Sequence, residues 1–406
     1  MTDKSLAGLR VLDLSRILAG PYATQMLGDL GAEIIKVEKP FAGDDTRLWG
    51  PPFLKDANGH DTSESAYYLS TNRNKKSIAI DITCKEGQEL VHALLAHCDI
   101  LVENFKTGGL AKYGLSYEQL AQAYPHLIYC SITGFGQTGP LASEPGYDLV
   151  AQAMGGLMAA TGEPSGEPMK AGVAVTDIIT GLHALVGILA ALHHREKTGQ
   201  GQHIDLSLLD CTLATMSNLA QYYLISGHPA PRQGNAHATI VPYQAVQTQT
   251  GWVVIAVGND PQFAKLATSL GHPEWISDPR FSTTDHRLAH RNELIPLLTD
   301  ALQHFSAEAF VDLCRSHDIP AGPVHTMDKA FAEPQIQSRQ MQIKMTHPLA
   351  SEPVSLVGSP LKLSQTPPAY ESPPPTLGEQ TDEILKAILG MGTDEIARLR
   401  RQKTIA

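Results

Sequence analysis

Cysteine is scarce in this chain of 406 residues. The five present, Cys84, Cys98, Cys130, Cys211 and Cys314, are odd in number, scattered and never paired as CxxC. That excludes a disulfide scaffold and a cysteine zinc site, and it fits a reducing compartment. Charge is also sparse at 18% of residues, with a net −11 and no Lys/Arg block longer than two. Such a balance excludes an extended nucleic-acid or membrane-surface binder, and an anionic ligand would need a local basic pocket. Long apolar runs are missing too. The longest, Gly181 to Leu192, is interrupted by His183 and is too short to span a bilayer. The first residues hold no apolar segment before Arg10 and Asp13, which argues against a secretory signal, and Asp3 argues against a transit peptide. The expectation is a cytoplasmic protein without nucleic-acid or membrane partners.

Several catalytic signatures are absent. The chain has no GxxxxGK[ST] phosphate loop, no GxSxG elbow and no HExxH pair, and its residues offer no metal site. His193 and His194 are adjacent and read as solvent-facing helix residues, since neighbours on a helix diverge. Glu38 ends the second strand where a ribose-binding acid would stand. The preceding turn, Ser15-Arg16-Ile17-Leu18-Ala19-Gly20-Pro21, nevertheless has one glycine followed by proline, unlike GxGxxG. A dinucleotide enzyme is disfavoured.

What is present is a chain long enough for two or three domains, 42% hydrophobic and slightly rich in Gly and Pro. Residues 9–14, 32–37, 77–82, 99–102, 127–132 and 202–207 read as strands. Helices fall at 21–30, with Gly31 as its cap, and at 85–97, 147–159, 180–195 and from 209 to Gly227. Strands alternating with helices predict a parallel, doubly wound sheet. Residues 228–235 read as a linker. Beyond it, a strand at 252–257 and helices near 263–270, 292–305 and 307–317 suggest a smaller α+β domain. A Pro-rich stretch near 367–375 precedes a last amphipathic helix at 381–389. No internal repeat is found.

Ala19-Gly20-Pro21, the run Gly31 to Glu38, Val102-Glu103-Asn104-Phe105 and Gly134-Phe135-Gly136-Gln137-Thr138-Gly139-Pro140 together resemble the class III CoA-transferases. So do Gly146-Tyr147-Asp148, Thr176-Asp177, the run Arg195 to Gln202, and Leu377-Gly378-Glu379. The likeness runs in order from near residue 6 to near 390. It implies a Rossmann-like large domain (1–225, rejoined by 332–406), a small domain (231–331) and two subunits interlocked as a homodimer. It also implies CoA transfer from an acyl-CoA to a free carboxylic acid, with the CoA thioester as substrate and no tightly bound cofactor.

By the same resemblance, Asp177 is the nucleophile. A carboxylate is a suitable acceptor between two acids because thioester and anhydride then interconvert near balance. Placed just before a helix, Asp177 would have its ionised form favoured by the helix N-terminus; from position alone, Thr176-Asp177 also reads as a simple cap. The CoA candidates are Leu18, Ala19, Lys39, Ile80, Asp81, Ile82, Thr83, Asn104, Phe105, Lys106, Lys112, Pro145, Gly146, Tyr147 and Asp148. Arg73, Lys75 and Lys76 could reach phosphate or cap a turn. Some relatives stabilise the oxyanion with a glycine-run loop, whereas here Ala256-Val257-Gly258-Asn259-Asp260 has one glycine, leaving the Gly258 backbone as candidate.

The same fold hosts α-methylacyl-CoA racemases, which need two bases; a histidine of theirs falls where this chain has Tyr147, and that favours transfer. Segments 43–53, 72–77 and 237–244 resemble succinyl-CoA–dicarboxylate transferases of the glutarate type. Formyl-CoA–oxalate transferases, a further alternative, carry glutamine at the position of Leu18. A dicarboxylate's free end needs a cation or strong donors, for which Arg47, His237 and Thr239 are candidates, although a buried structural Arg or a linker His reads equally well.

Overall fold

A computed structural model describes residues Lys4–Ala406, and Asp3 with its bearing on a transit peptide lies outside them. The described residues form two compact units. The first holds residues up to Leu157, Lys170–Gly227 and Gln337–Ala406; the second holds Met158–Met169 and His228–Ile336.

In the first unit six strands make one parallel sheet: β1 Arg10–Asp13, β2 Glu33–Glu38, β3 Lys75–Ala79, β4 Ile100–Glu103, β5 Ile128–Thr133 and β6 His203–Ser207. Their order is β3-β2-β1-β4-β5-β6, so the winding reverses between β1 and β4. Ligands of open parallel sheets bind at such a reversal, outside the carboxyl ends of the strands. The strands read as near-continuous apolar runs because both faces are covered. Val11, Ile34, Ile100 and Ile128 face helices α1 (Ala19–Asp29) and α4 (Val175–Thr198). Their chain neighbours Leu12, Ile35, Leu101 and Tyr129 point to the other face, against α2 (Lys85–Leu95). Completing that second layer are α7 (Thr381–Leu389) and α8 (Thr393–Arg401), from the far end of the chain.

Several elements differ from the sequence expectation. Helix α4 runs 24 residues and starts five earlier than its apolar stretch suggested, so it is long and apolar enough by length and composition to cross a membrane. Here it is a core helix: Ala184, Leu185, Ile188, Ala191 and Leu192 are buried against α1 and the sheet. The crossing is close at Gly181, where a Cβ would strike the Ala19 carbonyl. The helix expected over 147–159 breaks at Gly155-Gly156, leaving α3 as Asp148–Met154 and a single turn at Leu157–Ala160. The one expected from Leu209 divides into α5 (Leu208–Thr215) and α6 (Ser217–Ser226). Helix α8 went unread because Ile396 and Leu399 alone are buried among its charges. Two hairpins, Phe53–Lys55 with Asp61–Ser65 and Gln342–Met345 with Val354–Val357, are too short to carry a pattern.

The second unit has its own core around Val253, Ile255, Phe263, Leu298 and Phe310. Its antiparallel sheet orders Ala321–Pro323, Trp252–Ala256 and Tyr243–Gln247. Arg287, fully buried, donates to the carbonyls of Val241 and Phe281 and to Asp260.

Buried charge lies along β1, β2 and β3. Lys75 is fully enclosed and donates to Asp13 (3.1 Å), the Pro21 carbonyl and Asn72. Arg73 forks onto Asp29 at 2.6 and 2.9 Å, and Lys76 reaches Glu33 and Glu383. The basic cluster is thus an internal brace. Lys75→Met leaves the Asp13 carboxylate enclosed without its cation and is expected to cost about 3–5 kcal/mol. Lys76→Met, in a half-exposed pair, should cost under about 1 kcal/mol. Urea unfolding of both variants checks this; equal losses would contradict the brace.

Candidate active site

The winding reversal carries a cavity of about 210 Å³. Its walls come from the turn after β1 (Arg16, Ile17, Leu18, Ala19), the turn after β4 (Asn104 to Thr107), the end of β5 with Gly134, and residues Glu144 to Tyr147. Asp177 completes it. The strand-end turns are locked together: Asn104 Oδ1 accepts the Arg16 N–H (2.9 Å) and its Nδ2 donates to the Arg16 carbonyl (2.6 Å). Gly134 and Gly146 pass so closely that a Cβ on either would enter the other's backbone. That contact brings Pro145–Asp148 to the end of β5.

Asp177 does not precede its helix as expected; it sits in the first turn of α4, whose cap residue Ala174 has no capping side chain. Asp148 serves instead, its Oδ1 accepting the N–H groups of Thr176 (2.8 Å) and Asp177 (3.2 Å). Its Oδ2 accepts from the buried Gln152, which in turn accepts the Ala171 N–H. The helix N-terminus is therefore spent on Asp148. The consequence for Asp177 is opposite to the sequence expectation: burial, then the Asp148 charge, push its carboxyl up to about 7. Tyr67, absent from the sequence reading, feels the same charges. Burial followed by Asp177 and Asp148 moves its phenol up to about 12, so it stays a neutral hydrogen-bond donor.

A second cavity of about 240 Å³ lies at the ends of β1, β2 and β3. Lys39, Ile80, Asp81, Ile82 and Thr83 line it, as do Lys36, Asp44 and Tyr113. Arg16 and Phe105 line both cavities. Lys112 lies beside this region, its ammonium 4.7 Å from the centre of the Tyr113 ring. Arg16 and Ile17 were missed, although they adjoin Leu18 and Ala19. Ile17 adopts φ +73°, a strained conformation for a β-branched residue. Its N–H is held by Asp44 at 3.3 Å. Burial opposes ionisation of Asp44, but the Lys36 ammonium and the Thr46 N–H bring its carboxyl down to about 2.

The proposed dicarboxylate contact at Arg47 is corrected. Its guanidinium, 3% exposed, donates to Glu38, Glu64, Tyr68 and the Pro375 carbonyl, so every N–H is engaged inside the unit. No donor is left for a ligand. His237, Thr239 and Gly258 belong to the second unit, where His237 Nδ1 accepts the Thr239 N–H and the Gly258 N–H is taken by Gln262.

The sequence model of CoA-transferase family III matches residues 6–381. The succinate–glutarate CoA-transferase of Agrobacterium fabrum is 47% identical over 382 residues, 94% of each chain. The succinyl-CoA:glutarate CoA-transferase of Homo sapiens is 45% identical over 386 residues, 95% of this chain and 86% of that one. A crystal structure of a CAIB/BAIF family protein from Brucella suis matches with TM-score 0.87 at 46% identity, covering 95% of this chain and all of that one.

The Asp148–Asp177 geometry fixes a sign. Asp148→Asn keeps an oxygen for the two N–H groups and removes the like charge. The Asp177 carboxyl, followed by carbon-13 NMR, should then titrate below its position near 7 in the parent, while burial keeps it above an ordinary aspartate. An unchanged or higher midpoint would contradict like-charge repulsion as a cause.

Proposed function

The chain belongs to CoA-transferase family III and is an enzyme that transfers CoA, and from that premise we propose that it moves CoA from succinyl-CoA to a dicarboxylate such as glutarate, through covalent intermediates on Asp177. The observation that carries this reading is the position of Asp177: a partly buried carboxylate lining the cavity at the winding reversal, built from the turns that the family motifs occupy.

Asp177 Oδ attacks the thioester carbonyl and the C–S bond breaks, giving an aspartyl–acyl anhydride and CoA thiolate. The thiolate attacks the aspartyl carbonyl, releasing the donor acid and leaving an aspartyl-CoA thioester. The acceptor carboxylate reverses the sequence: it displaces thiolate to form a new anhydride, and thiolate then takes the acceptor acyl group, freeing Asp177. No oxidant or net proton is consumed. Repulsion from Asp148 helps at the start, because acylation removes the Asp177 charge and relieves it.

Racemisation is disfavoured by the cavity's composition. Tyr147, 60% exposed, stands where the second base would be, and among the described residues lining the cavity there is no histidine. A homodimer is part of the same proposal, supported by the apolar surface one chain leaves open on α4, α5 and α6. Val186 (64%), Leu213 (57%), Leu224 (72%) and Ile225 (79%) are all exposed there, more than a monomer ordinarily leaves uncovered.

Asp177→Ala should lower transfer from succinyl-CoA to glutarate by more than about a thousandfold while CoA still binds. Activity within about tenfold of the parent would remove the nucleophile assignment. In deuterated water a chiral 2-methylacyl-CoA should take up no deuterium at its α-carbon; uptake at turnover rate without CoA transfer would support the racemase instead. Light scattering at micromolar concentration should give twice the chain mass, and a monomer would contradict the dimer.

A further inference from the structure

We propose that Arg16 is the ligand for the pyrophosphate of CoA, and that it exchanges an ion pair with Asp45 for that pyrophosphate when the substrate binds. The inference rests on the transferase reading above. Two cavities open at the carboxyl ends of the sheet, one holding Asp177 and the other bounded by Lys39 and Ile80–Thr83. The residues common to both are Arg16 and Phe105. In CoA the pyrophosphate lies between the thiol-bearing pantetheine and the adenosine. A molecule with its thioester at Asp177 and its adenosine in the second cavity must therefore carry the pyrophosphate past the wall these two side chains form.

Arg16 is prepared for this at the backbone and free at the tip. Asn104 holds both its N–H and its carbonyl, and Asp44 holds the next N–H, at the strained Ile17. Its guanidinium, by contrast, makes one ion pair, Nη1 to Asp45 at 2.6 Å, between side chains 47% and 48% exposed, with the Phe105 ring centre 5.7 Å away. An ion pair in such surroundings has little net strength. A planar guanidinium matches two phosphate oxygens with parallel N–H donors, and the pyrophosphate brings more negative charge than one carboxylate. Asp45 then acts as a stand-in anion in the free protein, competing with the ligand. A purely structural pair would make loss of either partner harmful; competition gives the two partners opposite signs.

The test uses the full chain and its Arg16→Gln and Asp45→Asn variants. Calorimetry measures CoA and dephospho-CoA, which lacks the 3′-phosphate, and kcat/KM is measured with succinyl-CoA and with the succinyl thioester of pantetheine. Arg16→Gln should weaken CoA and dephospho-CoA alike by about 10- to 100-fold and lower kcat/KM with the pantetheine thioester far less than with succinyl-CoA, while an unchanged thermal unfolding midpoint shows that the variant folds. Asp45→Asn should tighten CoA by about two- to fivefold. Undiminished CoA binding by Arg16→Gln, an equal loss with the pantetheine thioester, a loss confined to CoA but absent with dephospho-CoA, or weakened binding in Asp45→Asn would each overturn the assignment. A parent protein that binds CoA leaves the transferase reading intact in all those cases; one that binds none overturns both.

Discussion

The site depends on a set of charges closed off from solvent, which must therefore satisfy one another. Asp13, at the end of β1, accepts from Ser15, Thr24 and Lys75, and thereby joins the first turn to α1 and β3. Lys36, also enclosed, spans from the Ser15 carbonyl to Asp44, and Asp44 holds Ile17 in its strained conformation. Arg47 ties Glu38, at the end of β2, to Glu64 and to the C-terminal segment at Pro375. Each group alone would be too costly to bury; paired and hydrogen-bonded, they fix the strand ends against which a ligand would lie.

The second constraint is the pair Asp148 and Asp177. Capping α4 with a carboxylate orients the first turn and places a like charge against the group proposed as nucleophile. The two effects come from one side chain. A carboxylate with a raised pKa is a better nucleophile than an ordinary one, provided the working pH leaves it ionised. A helix dipole directed at Asp177 itself would have given the opposite tuning.

Much of the fold could be read from the residues. The six strands of the main sheet follow from apolar runs separated by helices, because a sheet covered on both faces needs such runs. Pro21 near the start and Gly31 after the end of α1 bracket it for the reasons proline and glycine are used there, Gly31 having φ +107°. The grouping of Met158–Met169 with the second unit could not be read, since its Gly- and Pro-containing run 161–168 reads as a loop and its ties, such as the Gly234 N–H on the Gly162 carbonyl, are distant in sequence. Asp177, Leu18, Asn104, Phe105 and Tyr147 were legible through motifs and do line one cavity. Arg47 could be read as a ligand contact or as a buried structural arginine, and the structure shows the second; its partners Glu38, Glu64 and Tyr68 are distant in sequence, so an arginine with every donor engaged looks the same as a free one. Arg16, Ile17 and Tyr67 were missed for the converse reason: backbone strain, shared cavity walls and long-range charge leave no mark on a linear pattern.

Everything proposed about the reaction turns on covalent passage through the Asp177 carboxyl. Its most direct test is to run turnover with succinyl-CoA and glutarate labelled with oxygen-18 in both carboxyls, then analyse the peptide containing Asp177 by mass spectrometry. If the acceptor forms an anhydride with Asp177 and thiolate then takes the acyl group, one acceptor oxygen stays on the aspartate. That peptide should therefore gain one oxygen-18 in the first turnover and up to two as turnover continues, with label appearing in the succinate released after the first turnover. Full CoA transfer with an unlabelled Asp177 peptide and unlabelled succinate would contradict the covalent relay.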